Sequence, residues 1–458
     1  MGSIALQRRA ARLEAVKEIQ RLMSMHCYLT AAGRHEELML LFAQRRPDVS
    51  AELADWGIFT GLDRVREVLV TPLARMAQAN GVGVRQQHPD ITDDRAGMLM
   101  ENALMTPLVR VSADATEAKG RWQVLGAGTG FDPSVGKTTP TWAWVTFAVD
   151  FVTEDGAWKI LKFRVAPRFR TLFDKSWVDT AFEGPVKPPP GMVPEPDLPS
   201  SSAIPTDYAL DRVPVLDPPL PAAYPLTDAD REPVATADLT LAARLQRLED
   251  VHEISNLMAV HEYLHTANLN GEEFADYFAQ AAAGVAFEPE GWGVWEGREA
   301  IKASYVDAAP PPIPGMVTEH AATTPVIEVA QDGKTAKGVW ISPGHETFPR
   351  PGSSPLAHWS WGRYGIDFVK EDDVWKFWHF HIYTTFRTPY HVSWVESAVD
   401  TSHRLFEEGV MPPGMPMPTR AGTFNQEYHP SLTPVLQPQP PVPYRTFSDT
   451  FSYLPAAG

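Results

Sequence analysis

Between Asp373 and His391 the chain reads DVWKFWHFHIYTTFRTPYH. If this stretch is extended, its side chains alternate between two faces. Trp375, Phe377, His379, His381 and Tyr383 then share one face, and Trp378, Phe380 and Ile382 the other. Neither face is plainly polar. The segment is therefore expected to form a wall between a core and a pocket, with two histidines among aromatic rings.

The same pattern occurs earlier without the histidines, because the chain is a tandem repeat. LEAVKEIQRLMSMHCYL from Leu13 matches LEDVHEISNLMAVHEYL from Leu248, and the match resumes at Trp56-Gly57 and Trp292-Gly293. It continues in TPLVRVSADATEAKGRW from Thr106 and TPVIEVAQDGKTAKGVW from Thr324, then in TWAWVTFAVDFVTEDGAWKI from Thr141 and HWSWGRYGIDFVKEDDVWKF from His358. Shared order over so many motifs indicates duplication. Each copy opens with an amphipathic helix: Ile19, Leu22, Met23, His26 and Thr30 recur at spacings of three and four, as do Ile254, Leu257, Met258, His261 and His265. Short helices are expected at Glu36–Ala43 and Leu62–Leu69, and at Glu272–Ala279 and Arg298–Ala303. Strands follow at Leu104–Val111, Ala118–Val124, Thr141–Val152 and Trp158–Phe169, and at Thr324–Val329, Ala336–Ile341, His358–Val369 and Val374–Phe386. The pattern predicts an α+β architecture, three helices packed on a curved antiparallel sheet in each copy. The expected domains are 8–183 and 240–405, with Pro-rich arms at 184–239 and 406–458. The arms also repeat, as PPPGM at Pro188 and MPPGM at Met411 and as Pro-Val-Leu at 214–216 and 434–436, so they are read as extended segments lying on a domain.

Composition narrows the function. A net charge of −17 over 458 residues, with no basic run, argues against nucleic-acid binding. Cys27 is the sole cysteine, which leaves no intrachain disulfide and no thiolate zinc site. The chain has no apolar run long enough for a membrane span and opens without a secretory pattern, so a cytoplasmic protein is expected.

The opening LExxxEIxxLMxxHxYL, the following LFA and YFA helices, the Gly61 and Gly297 turns, and the closing W-x-W…DFV…W-K resemble the SnoaL-like branch of the nuclear-transport-factor-2-like superfamily. The resemblance covers both copies apart from the arms. It implies a cone-shaped domain with a pocket between the first helix and a concave sheet. It also implies relatives such as ketosteroid isomerase, scytalone dehydratase, polyketide cyclases and diarylpropane lyases, most of them working without cofactors. Dehydratase-like members carry an acidic residue near the end of the first helix, where this chain has Ala32-Gly33 and Asn268, so other groups must do the chemistry. On that fold His261, His265, His320 and either His379 or His381 would converge.

Imidazoles titrate near neutrality and serve as acid or base, so His261, His265, His320 and His381, with Tyr263, are the candidate catalytic residues. His379, Arg363, Trp361, Tyr383 and His358 are candidate substrate contacts. A second, charged site in the first copy could use His26, Tyr28, Glu101, Asn102, Lys162 and Arg164, although a degenerate packing partner explains that copy as well. Arg170 and Arg387 occur in both copies and are expected in a salt bridge or an arm contact. GFDPSVGKT from Gly130 has the wrong spacing for a phosphate loop and is expected to join two strands. The expected protein is a cofactor-independent lyase, dehydratase (C–O or C–C cleavage) or isomerase acting on a hydroxylated aromatic small molecule. Its two copies would form an intramolecular pseudo-dimer, with homo-oligomers open. The alternatives are a non-catalytic binding protein and a metal enzyme using His379 and His381 with His320 or His358.

Overall fold

The computed structural model describes residues 2–53, 56–87, 89–132, 136–176, 178, 194–201, 220–222, 224, 239–289, 291–309, 315–347, 356–400 and 414–455. Two compact units emerge, one of Met1–Arg244 with His429–Val435 and one of Leu245–Tyr428 with Leu436–Gly458. Among the described residues no helix is long and apolar enough to cross a membrane.

The first unit opens with α1 (Gly2–Ala31) and α2 (His35–Met39), followed by β1 (Ser50–Leu53), β2 (Gly57–Thr60) and α3 (Leu62–Gln87). Four long strands complete it: β3 (Leu99–Val111), β4 (Glu117–Asp132), β5 (Lys137–Glu154) and β6 (Ala157–Leu172). The sheet order is β2-β1-β6-β5-β4-β3, antiparallel except where β1 runs parallel to β6. The core lies between the sheet and the helices. Ile19, Met23 and Cys27 of α1 pack there with Phe42, Phe59, Val65, Trp122, Phe151 and Ile160, so the stripe read from the sequence is the buried one. Gly130 stands in β4 and Lys137 begins β5, so the phosphate-loop look-alike joins two strands, with 133–135 outside the described residues.

The second unit repeats this plan with α4 (Leu239–Thr266), α5 (Asn270–Tyr277), β7 (Ala286–Pro289), β8 (Trp295–Glu296) and α6 (Arg298–Ile301). A π-helical turn, Lys302–Asp307, extends α6. The strands β9 (Val317–His320), β10 (Thr323–Val329), β11 (Thr335–Thr347), β12 (Ala357–Glu371) and β13 (Val374–Pro389) follow, then α7 (Trp394–Val399). The order is β10-β11-β12-β13-β7-β8, with β9 added beside β11 and β7 parallel to β13. Ile254, Leu257 and Met258 meet Phe278, Phe287, Trp295, Tyr364, Phe377 and Phe380 in its core.

The elements differ from the expectation in extent more than in kind. The third helix of the first copy runs to Gln87 instead of ending near Leu69. The short strands β1, β2, β7, β8 and β9 carry too few residues to show a period.

The larger difference lies in β13. In its pairing with β12, Phe377 stands opposite Phe368 but His379 stands opposite Asp367, which leaves Trp378 as an extra residue in a bulge. The bulge reverses the alternation. Trp375 and Phe377 face the core before it, and after it Phe380 and Ile382 do so while His379, His381 and Tyr383 turn to the outer face. Strict alternation had put all five on one side. Leu161 is the extra residue at the matching place in β6.

Both Pro-rich segments have described parts that lie on the unit preceding them, whereas His429–Val435 of the second segment belongs to the first unit, where Gly97 N–H donates to the Leu432 carbonyl at 2.8 Å. Ile58 N–H donates to the Leu198 carbonyl at 2.9 Å, and Val294 N–H to the Arg420 carbonyl at 3.1 Å. These are matching positions in the two copies, and the preceding glycines, Gly57 and Gly293, leave room that a Cβ would take from Pro196 and Pro418. The PPPGM positions 188–192, the MPP positions 411–413 and positions 214–216 of the sequence repeat lie outside the described residues.

Candidate active site

The apolar stripe of α4 carries His261 inward, where the ring is 3% exposed. Its Nδ1 lies 2.6 Å from Glu273 Oε1 on α5, and the Tyr305 hydroxyl donates to Glu273 Oε2 at 2.6 Å. A carboxylate that accepts from both fixes the proton of the neutral ring on Nδ1. The lone pair then sits on Nε2, which is buried and has no hydrogen-bond partner among the described residues. Burial alone would lower the His261 pKa, but the Glu273 carboxylate outweighs it and the net shift is upward. Phe380, Tyr364 and Phe377 surround the ring, with centroids 4.8, 5.5 and 6.0 Å away.

One turn further on, His265 stacks on His261 at 5.7 Å between centroids, and His320 follows at 5.6 Å. Asn268, at φ 54°, then ends the helix; asparagine tolerates this left-handed conformation better than most residues. The Thr318 hydroxyl donates to the His265 carbonyl at 3.2 Å and ties β9 to the helix end. His320 can lie against β11 because its neighbour there is Gly344, where a Cβ would stand 2.3 Å from His320 Nδ1. Burial and the neighbouring His261 and His320 push the His265 pKa down to about 3, so His265 is a neutral imidazole near neutral pH.

Glu346 closes the far side. Burial would raise its pKa, but Arg387 and His320 hold the carboxyl well below the usual carboxylate range. Arg387 contacts both Glu346 oxygens at 3.0 Å, and His320 Nε2 lies at 3.2 Å. Arg387 is thus in the salt bridge expected of it. His358 pairs with Glu346 in the β11/β12 register and is buried on the same face, with Nδ1 3.0 Å from the Leu356 carbonyl.

Several expected members lie elsewhere. Tyr263 is 77% exposed, because it sits two residues from His261 and so on the far side of the helix. The bulge sends His379, His381 and Tyr383 to the outer face, so they do not converge with His261 as expected. His379 Nδ1 lies 2.8 Å from Asp367 Oδ2, and Asp367 also pairs with the buried Lys337. His381 Nδ1 lies 3.2 Å from the Tyr453 carbonyl, and its ring stacks on Tyr383 at 3.7 Å. Arg363 reaches the Gln437 carbonyl, and Trp361 stacks on Phe386, which in turn stacks on Trp394 of α7. The metal set imagined from His379, His381 and His320 is split between the two faces of the sheet.

The first copy keeps little of this polar set. His26 is buried against Phe163, Phe147 and Phe42, and neither nitrogen has a hydrogen-bond partner among the described residues. Burial pushes its pKa down to about 4. Glu37, the counterpart of Glu273, pairs with Arg34 at the surface, and Leu69 and Phe147 stand where Tyr305 and Tyr364 stand in the second copy. Tyr28 is buried, Glu101 is buried close to Cys27, and Asn102 lies over Gly126 as His320 lies over Gly344. Lys162 is exposed and Arg164 approaches Glu52 at 3.5 Å on the outer face, so neither joins His26. The sequence reading missed Glu262, Glu273, Tyr305, Glu346 and Tyr364. Comparison of the copies could have found Glu262, Tyr305, Glu346 and Tyr364, since their matches are Cys27, Leu69, Gly128 and Phe147, but not Glu273, which matches Glu37.

The sequence profile of the SnoaL-like domain matches residues 11–164 and again 246–381, together well over half of the chain. The chain belongs to the SnoaL-like family and carries that domain twice. Among solved structures it is similar to a protein of Novosphingobium aromaticivorans described as a scytalone dehydratase, at 20% identity over 35% of this chain and 89% of the other, TM-score 0.27. It is also similar to a hexachlorocyclohexane dehydrochlorinase of Novosphingobium barchaimii, at 16% identity over 35% and 92%, TM-score 0.26. A third is a nuclear-transport-factor-2-like protein of Streptomyces avermitilis described as a dehydratase, at 17% identity over 30% and 96%, TM-score 0.26. No curated protein matches the chain.

Proposed function

We propose that the second copy is a cofactor-independent lyase or dehydratase, or an isomerase, that moves a proton on a hydroxylated aromatic small molecule. The observation that carries this reading is His261. Its Nδ1 is locked by the Glu273–Tyr305 pair, while its Nε2 is buried and has no hydrogen-bond partner among the described residues. A group oriented on one side and left open on the other is what general-base catalysis requires. His261 Nε2 takes the proton. The neutral His265 offers a hydrogen bond to the substrate, and Tyr364, one of the aromatic groups around the site, does the same for an oxygen that gains charge. The phenylalanines around His261 provide apolar walls for a ring. His320, Glu346 and Arg387 form a closed ion-pair set that holds the far wall.

Solvent-deuterium exchange into hydroxylated aryl ketones, followed by proton NMR, tests the reading even where nothing is eliminated. The intact protein is expected to catalyse exchange, and His261→Ala to slow it by about 10²–10⁴-fold with unchanged circular dichroism. Equal exchange by both proteins would remove His261 from the chemistry. Saturable binding without exchange would make the protein a ligand carrier.

A further inference from the structure

Glu262 follows His261 on α4 and is 7% exposed. Other carboxylates buried in this unit are well supplied with partners. Glu273 accepts from His261 and Tyr305. Glu346 has His320 and Arg387, and Asp250 has Lys370 and the Trp375 indole. Glu288 accepts from Thr423 twice, and Asp367 is held by Lys337, His379, Ser452 and the Tyr453 N–H. Neither oxygen of Glu262 has a hydrogen-bond partner among the described residues, although the Tyr364 hydroxyl lies alongside.

A buried carboxylate without partners costs several kcal/mol on the order set by desolvation, and the group escapes that cost by keeping its proton. Burial is indeed the largest influence on Glu262 and carries its pKa upward against the pull of His261, His320 and Tyr364. The first copy, which keeps little of the polar set, has Cys27 at this place. A packing role alone would not require an acid there. Two neighbouring groups, one oriented to accept a proton and one kept neutral to give it, form an acid and base pair.

We propose that Glu262 is the proton donor of the reaction assigned above to this site, a role that rests on the lyase reading. His261 Nε2 removes a proton from carbon, and the electrons of that C–H bond form the new double bond. The C–O bond breaks with its pair on oxygen, and the Glu262 carboxylic acid protonates that oxygen, which leaves as water. The imidazolium and the Glu262 carboxylate then stand side by side, and return of the proton from one to the other restores the starting state.

Infrared spectroscopy of the full chain at pH 7 tests the assignment without a known substrate. The protein is expected to show a carboxylic-acid carbonyl band that disappears in Glu262→Gln, persists in His261→Ala, and shifts when 4-nitrophenol is added as a probe. A protein without the band, a band that survives in Glu262→Gln, or a band indifferent to 4-nitrophenol would overturn the proposal. Glu262→Gln preserves shape, can still face the Tyr364 hydroxyl and breaks no ion pair among the described residues, so its melting temperature is expected to equal or exceed that of the parent. On a turned-over β-hydroxy aryl ketone, Glu262→Gln is expected to lose about 100-fold in rate, and on the matching β-chloro ketone, whose leaving group needs no proton, less than about threefold. Equal losses on both would make Glu262 structural. Absence of turnover by the parent, with the band present and responsive to the probe, would remove the lyase reading and leave Glu262 a neutral acid facing a ligand.

Discussion

His26 and His261 occupy one position in two copies of one fold, yet they do opposite things. His261 has Glu273 and Tyr305 behind it, whereas the corresponding Glu37 has turned to Arg34 and Leu69 replaces the tyrosine. A buried polar group without a partner is a cost that an apolar residue removes. His26→Leu is therefore expected to raise stability by about 1 kcal/mol, measured by urea denaturation; a loss of that size would show that the ring has a partner. At His261 the sign of the electrostatics can be read directly. Glu273→Gln keeps the shape but removes the charge that raises the His261 pKa, so the imidazole should titrate at lower pH. Histidine NMR through a pH series checks this, and an unmoved titration would exclude Glu273 as the cause.

At the scale of elements, the outer face of the second sheet is held by the C-terminal segment. The Lys337 ammonium, wholly buried, pairs with Asp367 and lies 4.5–5.0 Å from the ring centroids of Phe447, Phe451 and Tyr453. Lys337→Met would strand the Asp367 charge and lose the cation between the rings. A cost of about 3 kcal/mol is expected, visible as a shifted urea midpoint, and an unshifted midpoint would exclude the ion pair as a fastening. The order of elements and the buried stripe of the first helix were legible in the sequence, because period and repetition are local properties. The facing of β13 was not. A bulge is a matter of how two strands align, and nothing in WKFWHFHIY announces that Trp378 is supernumerary. For the same reason His261, His265 and His320 could be placed together, while His379 and His381 were assigned to the wrong side. The carboxylates were overlooked because Glu262 and Glu273 look like ordinary solvated helix residues until burial is known.

Across the whole molecule, the buried histidines set the response to acid. His26, His265 and His381 are neutral in the fold, their pKa values lowered from 6.5 to about 4, 3 and 3. The unfolded chain binds protons at these sites first, so their contribution is complete above about pH 6.5 and is lost as pH falls toward the folded values. The depressed Asp367 and Glu346 extend the loss at still lower pH. His261 runs the other way. Its raised pKa stabilises below 6.5 and the benefit fades as pH rises through the folded value. The raised Glu262 and Glu288 also bind protons in the fold first and oppose the loss, so the sign is read at one site: the advantage of His26→Leu over the parent should widen from pH 7 to pH 4 in calorimetric scans, and a constant difference would contradict the burial of that ring.

The extra residue in the last strand also dates the molecule. Leu161 and Trp378 occupy the same irregular place in the two copies, while the histidines beyond Trp378, together with Glu262 and Glu346, belong to the second copy alone. The simplest history is an ancestor whose strand was already kinked before its gene doubled. The polar groups around His261 then came as point changes on an inherited shape, which gives a concrete route for asking how much of that set the first copy could acquire. Cys27→Glu, Leu69→Tyr and Phe147→Tyr would be the opening steps.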